Sequence, residues 1–356
     1  MRVEYTYQLL TRTGQDLGPL AGVRRGSGQT SYSAASSIKS SASIVLENTG
    51  QISSWLDVRI QPWVSVDGDE WPLGVFIPDV PERAFTGVGE TAQVNLLDKL
   101  SILDGDSFGQ TFGAPAGTVV TQAVRDIIDS TGEPAGAITE GDAALLTAIE
   151  WEPQDSKLKI VNDMLDAATF FSLWTDGHGN FQVTPWDRPA RRPVKADYVD
   201  GEDGVHVVNP LAGAYAPQFT AKHDVGKIPN VYIAISQGDG DDEALRAEAI
   251  NTNPDDPYSL PRRGYRKLPE NGVEIGVKTT SQTALDEHAA RRLIELSEPQ
   301  ETVTIRHPPN RTTINDAVRF TSRQYGIEGL FTVQRQDWAH AFNGLVTSTL
   351  RRVVDI

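Results

Sequence analysis

The stretch Trp55–Pro78, WLDVRIQPWVSVDGDEWPLGVFIP, carries the strongest strand signal in the chain, and the reading of its surroundings starts from it. Trp55, Val58, Ile60, Trp63, Val64 and Val66 are the aromatic and β-branched residues that fit a half-buried pleated surface. Asp67-Gly68-Asp69 interrupts the run with tight-turn chemistry, and Trp71 to Ile77 returns. Working outward, YTYQLL (5–10) and SASIVLEN (41–48) are short runs with partial alternation, and AQVNLLDKLSIL (92–103) closes the region. Asn, Gly, Ser and Pro punctuate at the intervals of a small barrel or sandwich. Residues 1–100 therefore read as β.

The period then changes. Val120, Ala123, Val124, Ile127 and Ile128 fall at helical spacing, with Gly132 placed to end that helix. A second helix is predicted over 156–170, with Ser156 as its cap and Leu158, Val161, Met164, Leu165 and Ala168 on its apolar face. A third covers 283–297, where Thr283 and Asp286 resemble a capping box and Leu285, Ala289, Leu293 and Leu296 form a stripe. Apolar VYIAIS (231–236) reads as a strand, and 236–277 is polar, acidic and Pro-rich, an inserted loop or small subdomain. ETVTIRH, DAVRFTS, LFTVQRQDWAH and LVTSTLRRVV follow as strands of a second barrel-like unit.

The most site-like cluster is Asp176-Gly177-His178-Gly179-Asn180. Phe171, Leu173 and Thr175 alternate before it, and Phe181, Val183 and Pro185 after it, so it reads as a hairpin tip with His178 in solvent. A metal would need three or four ligands, and the next histidine, His206, stands in no ligand spacing. A calcium loop counted from Asp239 meets Ala244 where Gly is required and Ile250 where Glu is required; one counted from Asp104 ends on Pro115. RRGSGQTS (24–31) lacks the strand and helix of a phosphate-binding loop and reads as a mobile loop. His288 with Arg291 and Arg292 reads as a solvated helix face, and His340 as peripheral core. No catalytic, cofactor-binding or metal-binding residue is singled out.

The 356 residues exceed one ordinary domain of roughly 100–200. There is no cysteine, hence no disulfide or thiolate site. No run long enough for a membrane span is present, and the opening residues carry no apolar segment of a signal peptide. The formal net charge of −16 excludes wrapping of nucleic acid by the average surface. Solubility accounts for it, as does a surface that faces DNA without adhering.

The succession of segments is itself informative. PLGVFIPDVPERAFTGVGETAQVNLLDKLSILDGD leads to GTVVTQAVRDIIDSTG, then to SKLKIVNDMLDAATFFSLWTDGHGNFQVTPWDRPARRPV, IPNVYIAIS and DDPYSLPRRGYRK. LDEHAARRLIELSEPQETVTIRHPPNR and FTVQRQDWAHAFNGLVTSTLRRVV close the chain. Over nearly its whole length this order resembles the minor tail proteins of long-tailed actinobacterial phages, in the tail or baseplate hub family. The resemblance implies an α+β, mainly β fold: two tail-tube-like β-barrel domains plus helix-containing accessory domains. It divides the chain into a first tube-like domain (1–100), an accessory α+β domain (101–195), strands contributing to the second tube-like region (196–236), an inserted polar loop or subdomain (237–277) and the second tube-like domain (278–356).

It further implies a non-enzymatic virion component, made in the host cytoplasm and placed at the tail tip. A homotrimeric ring would join tail tube to tip and form part of the DNA ejection channel. Its partners would be distal tail or tail tube proteins, the tape-measure protein and tail-tip or receptor-binding proteins. DNA would pass without specific binding, and no cofactor or membrane insertion is implied. Arg191, Arg192, Arg262 and Arg263 are candidate counter-charges at subunit edges. Two rivals remain from the residues alone: a host-surface or glycan-binding β module using exposed Trp and Tyr, and a cell-wall hydrolase.

Overall fold

The computed structural model describes the chain apart from residues 48–49, 53, 80, 82, 87–88, 137, 139–140, 200–211, 214, 225–227, 238–243, 269–271, 280, 298–299 and 354–356. Trp55–Pro78 folds as its residues dictate. Strand Val58–Val66 turns at Asp67 and Gly68, both at positive φ, and returns as Asp69–Pro72 and Phe76–Pro78. Strand Val3–Thr11 pairs along the whole other side of Val58–Val66. Ile44, Ile60, Phe76, Val94 and Leu96 fill the core between them.

These strands belong to a mixed 16-stranded sheet that also contains the C-terminal strands. Its two halves repeat one plan. The first comprises strands 3–11, 16–19, 29–33, 40–47, 58–66, 76–78 and 89–98; numbered in chain order, they lie across the sheet as 2-1-5-6-7-4-3. The second comprises 194–199, 212–213, 220–224, 300–307, 317–322, 327–339 and 346–352, which also lie as 2-1-5-6-7-4-3. Its core is Tyr198, Ile305, Val318, Phe320, Phe331 and Leu350. The expected barrels are not closed among the described residues. In the first half, residues 20–24 come nearest to closing the gap, through Leu20 N–H to Tyr7 O (2.8 Å), Glu47 N–H to Gly22 O (2.7 Å) and the bridge Val23–Leu46.

Between the halves lies a helical unit built from α1 (Leu100–Asp104), α2 (Val120–Asp129) and α3 (Lys157–Ala167). Ser156 caps α3, its Oγ accepting from Lys159 N–H, and Gly132 takes the positive φ that ends the turn after α2. Val120, Val124, Ile127, Ile128, Leu158, Val161 and Leu165 pack together with Trp151 and Phe181.

The sequence division differs from the structure around 231–297. Strand Val231–Ser236 is not in the large sheet. It is the middle of a separate three-stranded sheet with Arg246–Ile250 and Val273–Val277. After the short α4 (Leu260–Arg263), α5 (Gln282–Ser297) covers that sheet through Leu285, Ala289 and Leu293. Its cap is Ser281, whose Oγ accepts from Ala284 N–H, rather than Thr283. The inserted subdomain thus takes in the strand before the polar stretch and the helix after it, because the stripe of α5 needs that sheet to bury it.

Candidate assembly interface

The two sheet halves meet at one seam. The third strand of the first half, Gln29–Ser33, pairs antiparallel with the far part of the sixth strand of the second, from Arg335–Ser33 to Ala339–Gln29. Ile327–Ala339 leaves its fifth-strand neighbour after Thr332 and receives the incoming strand from Arg335 onward, beside a register shift between Val333 and Arg335 in its pairing with the seventh strand. Trp338, 2% exposed, packs with Val3, Val64, Leu73 and Val346 from both halves. Ser31 Oγ–H donates to Asp337 (2.8 Å), and Tyr32 O–H donates to Leu73 O.

His340 sits at the centre of this seam. Its ring stacks on Tyr5 at 4.6 Å, with Nδ1 2.8 Å from the Tyr7 hydroxyl and Nε2 3.0 Å from Thr30 Oγ1. Burial pulls its pKa down to about 3, so the ring is neutral near pH 7. The stretch read as a mobile loop is part of the seam: His340 N–H donates to Gly28 O (2.8 Å), and a Cβ at Gly28 would stand 2.1 Å from the Tyr7 oxygen. Close approach explains this glycine, a signal that a turn-based reading does not contain.

The Asp176–Asn180 segment is a hairpin tip between Trp174–Thr175 and Phe181–Gln182, with Asp176 accepting from His178 and Asn180 backbone N–H groups (both 2.9 Å). His178 is exposed, 6.3 Å edge-on from Trp63. The tip nevertheless docks on the first half. Cβ atoms at Gly177 and Gly179 would lie 2.3 Å from Pro72 O and 2.6 Å from Val75 Cβ. Beneath it Glu133, buried, is held by Arg59 (3.0 Å) and Lys99 (3.2 Å), fastening the helical unit to the first half.

His288, Arg291 and Arg292 are not a solvated face. Arg291, buried, pairs with Asp166 of α3 at 2.7 Å, and His288 Nε2 is 2.9 Å from Glu274. His288 and Arg291, with Asp166 and Glu274, line a cleft of about 510 Å³ between the helical unit and the inserted subdomain. The His288 hydrogen bond holds the Glu274 carboxyl near 2, and burial pushes Tyr232, which donates to it, up to about 12. Neither shuttles protons near neutrality; the group is suited to fastening two domains.

The other candidates stand apart. Asp104 ends α1 and strand 112–114 follows, while Ile250 ends a strand; His206 and Asp239 lie outside the described residues. Among the described residues no three His, Asp or Glu side chains gather as a metal ligand set. Arg191 is exposed. Arg192 bonds Asp187 O and Asn315 O, Arg262 bonds Pro254 O, and Arg263 lies over the Tyr258 ring, all within the chain.

No protein-family model and no curated protein sequence matches the chain. Solved structures do. A tail protein from Neisseria meningitidis MC58 aligns over 98% of this chain and 96% of its own, at 13% identity and TM-score 0.67. The 43 kDa tail protein of prophage MuSo2 from Shewanella oneidensis aligns over 98% of each, at 11% identity and TM-score 0.64. The E. coli c3393 protein, a type VI secretion component with structural similarity to the T4 tail proteins gp27 and gp5, aligns over 100% and 78%, at 8% identity and TM-score 0.53. At 8–13% identity the likeness is one of fold: over nearly its whole length the chain has the fold of these tail proteins.

Proposed function

We propose that this chain is a structural phage tail protein of the hub type, three copies of which close into a ring between tail tube and tail tip. The observation that carries the reading is the repeated 2-1-5-6-7-4-3 strand order, two β units of one plan joined edge to strand in one chain. Three chains then offer six similar units, which lets a threefold ring continue a sixfold tube through heterologous contacts that close. The likeness to tail proteins over the full chain length agrees with it. The glycan-binding alternative has few ring platforms to use: none of the seven Trp is exposed, five being half-buried, and Tyr265 and Tyr325 are its exposed tyrosines among the described residues.

The ring opening passes DNA. A net charge of −16 per chain, turned partly toward that opening, repels phosphates and keeps DNA from adhering during ejection. Tube, tape-measure and tip proteins are the neighbours this position requires, and the tail tip of the virion is the location. Imaging of particles that carry the chain tests this: a threefold ring with an acidic channel at the end of the tube is expected. A sixfold ring, or a channel lined chiefly by Lys and Arg, overturns the reading.

A further inference from the structure

The turn 34–39, which follows the seam strand Gln29–Ser33, holds a buried cation. Lys39 is 8% exposed, and its Nζ donates to Ala34 O (2.9 Å). Among the described residues no carboxylate pairs with it, and burial pulls its ammonium down to about 8. A buried ammonium without a counter-charge is costly. Lys39 lines a cavity of about 330 Å³ where the first β unit, the helical unit, α5 and the second β unit come together. Ala34 N–H fastens the turn to the second unit through Gln334 O (2.9 Å), and both residues line the same cavity. Its lining is basic in an acidic chain. Arg192, Arg291, Arg292 and Arg351 join Lys39 there, against the carboxylates of Asp166 and Glu295. Asp166 is engaged by Arg291 and Glu295 by Arg292, both at 2.7 Å. Neither carboxylate is spent on Lys39.

We infer that this cavity binds a small oxyanion of the phosphate class, with Lys39 as its buried contact. An ammonium has three N–H donors, and Ala34 O takes one of those on Lys39. Guanidinium groups supply planar donor forks that match an oxyanion. The cavity has room for a tetrahedral ion with water around it. Ala35 and Ser172, which also line it, are exposed, so the ion enters from solvent. With a net charge of −16 the average surface repels anions, which makes a basic cavity the place where one is held. A bound ion ties the turn of the first unit to α5 and to the second unit. The site is complete within one chain and does not depend on the ring.

The test titrates the full-length chain with inorganic phosphate, using sodium chloride at matched ionic strength as the control. Titration calorimetry and the melting temperature are the readouts. Phosphate should bind saturably at a single site per chain and raise the melting temperature by about 2–5 °C, and chloride should do neither. Lys39→Met keeps a side chain of similar length without the charge. It should hold or raise the melting temperature in chloride and weaken phosphate binding by about tenfold or more. Ala35→Asp leaves Lys39 in place and adds a carboxylate at an exposed lining position, and it should weaken binding by about threefold or more. Equal responses to phosphate and chloride overturn the site, as does wild-type phosphate affinity in Lys39→Met. Should Lys39→Met fail to melt cooperatively, Ala35→Asp decides, and wild-type affinity there overturns the site.

Discussion

In the first β unit the opening strand, Val3–Thr11, runs antiparallel to both its neighbours; in the second, Val194–Val199 runs parallel to both. The position in the sheet is the same. A strand buries alternate side chains whichever way it points, so Tyr7 and Leu9 enter one core as Ala196 and Tyr198 enter the other. Direction is set by the connection. Thr11 and Asp16 are joined by a tight turn, while a parallel neighbour requires a connection of about a dozen residues or more, and Val199 and Ala212 are separated in sequence by residues 200–211. The third-to-fourth connection differs more. It spans 34–39 in the first unit and 225–299 in the second, where it holds the inserted subdomain. The plan is conserved inside the chain at the level of strand adjacency, and the freedom lies in loops.

The largest expected effect separates two domain contacts. Glu133→Ala leaves Arg59 and Lys99 buried without their partner and should cost about 3–5 kcal/mol in denaturant unfolding. Asp166→Ala removes a half-exposed carboxylate from the buried Arg291, which keeps His288 beside it, and should cost less, about 1–3 kcal/mol. Equal losses would mean that the helical unit is held no more tightly to the first β unit than to the subdomain.

A second comparison sets two glycines of one stretch against each other. Gly28→Ala places a methyl against Tyr7 and His340 and should destabilise by about 1–3 kcal/mol, as overpacking does. Gly26 faces open space at φ +71, so Gly26→Ala meets only backbone strain, about 1 kcal/mol. Calorimetry distinguishes them, and a smaller effect at Gly28 would remove the seam from the account.

Acid should also act unevenly. Burial lowers His307 of the second unit to about 4 and His340 of the seam to about 3. Both rings are neutral in the folded chain, and the unfolded chain takes up the extra protons below about 6.5. Their contribution is complete above that pH and is lost as pH falls, by up to about 1.4 kcal/mol per unit for each ring. His340→Gln should therefore flatten the stability profile between pH 6 and 4 by roughly that slope. An unchanged slope would show that the ring is not held neutral. The smallest effect is expected at the exposed ring of Phe85: Phe85→Ala should change the stability of the chain by less than about 0.5 kcal/mol.

Local elements were legible in the residues because period and turn chemistry act over a few positions. The hairpin about Asp67-Gly68, the cap at Ser156 and the tip at Asp176–Asn180 all follow from such signals. The seam was not. Gly28, Gly177 and His340 are decided by partners far away in the chain, and a glycine kept for close approach looks the same in sequence as one kept for a turn. His288 and Arg291 failed for a related reason: a charged helix face reads as solvated until the acids of another domain, Asp166 among them, are seen against it.

The measurement that bears most directly on the account is the native mass of the full-length chain across a concentration series, with salt varied. A species of three chains, and none of two or six, is the predicted result. It should tighten as salt screens like charges over a Debye length of about 8–10 Å. A monomer at every concentration, or a stable hexamer, would contradict it.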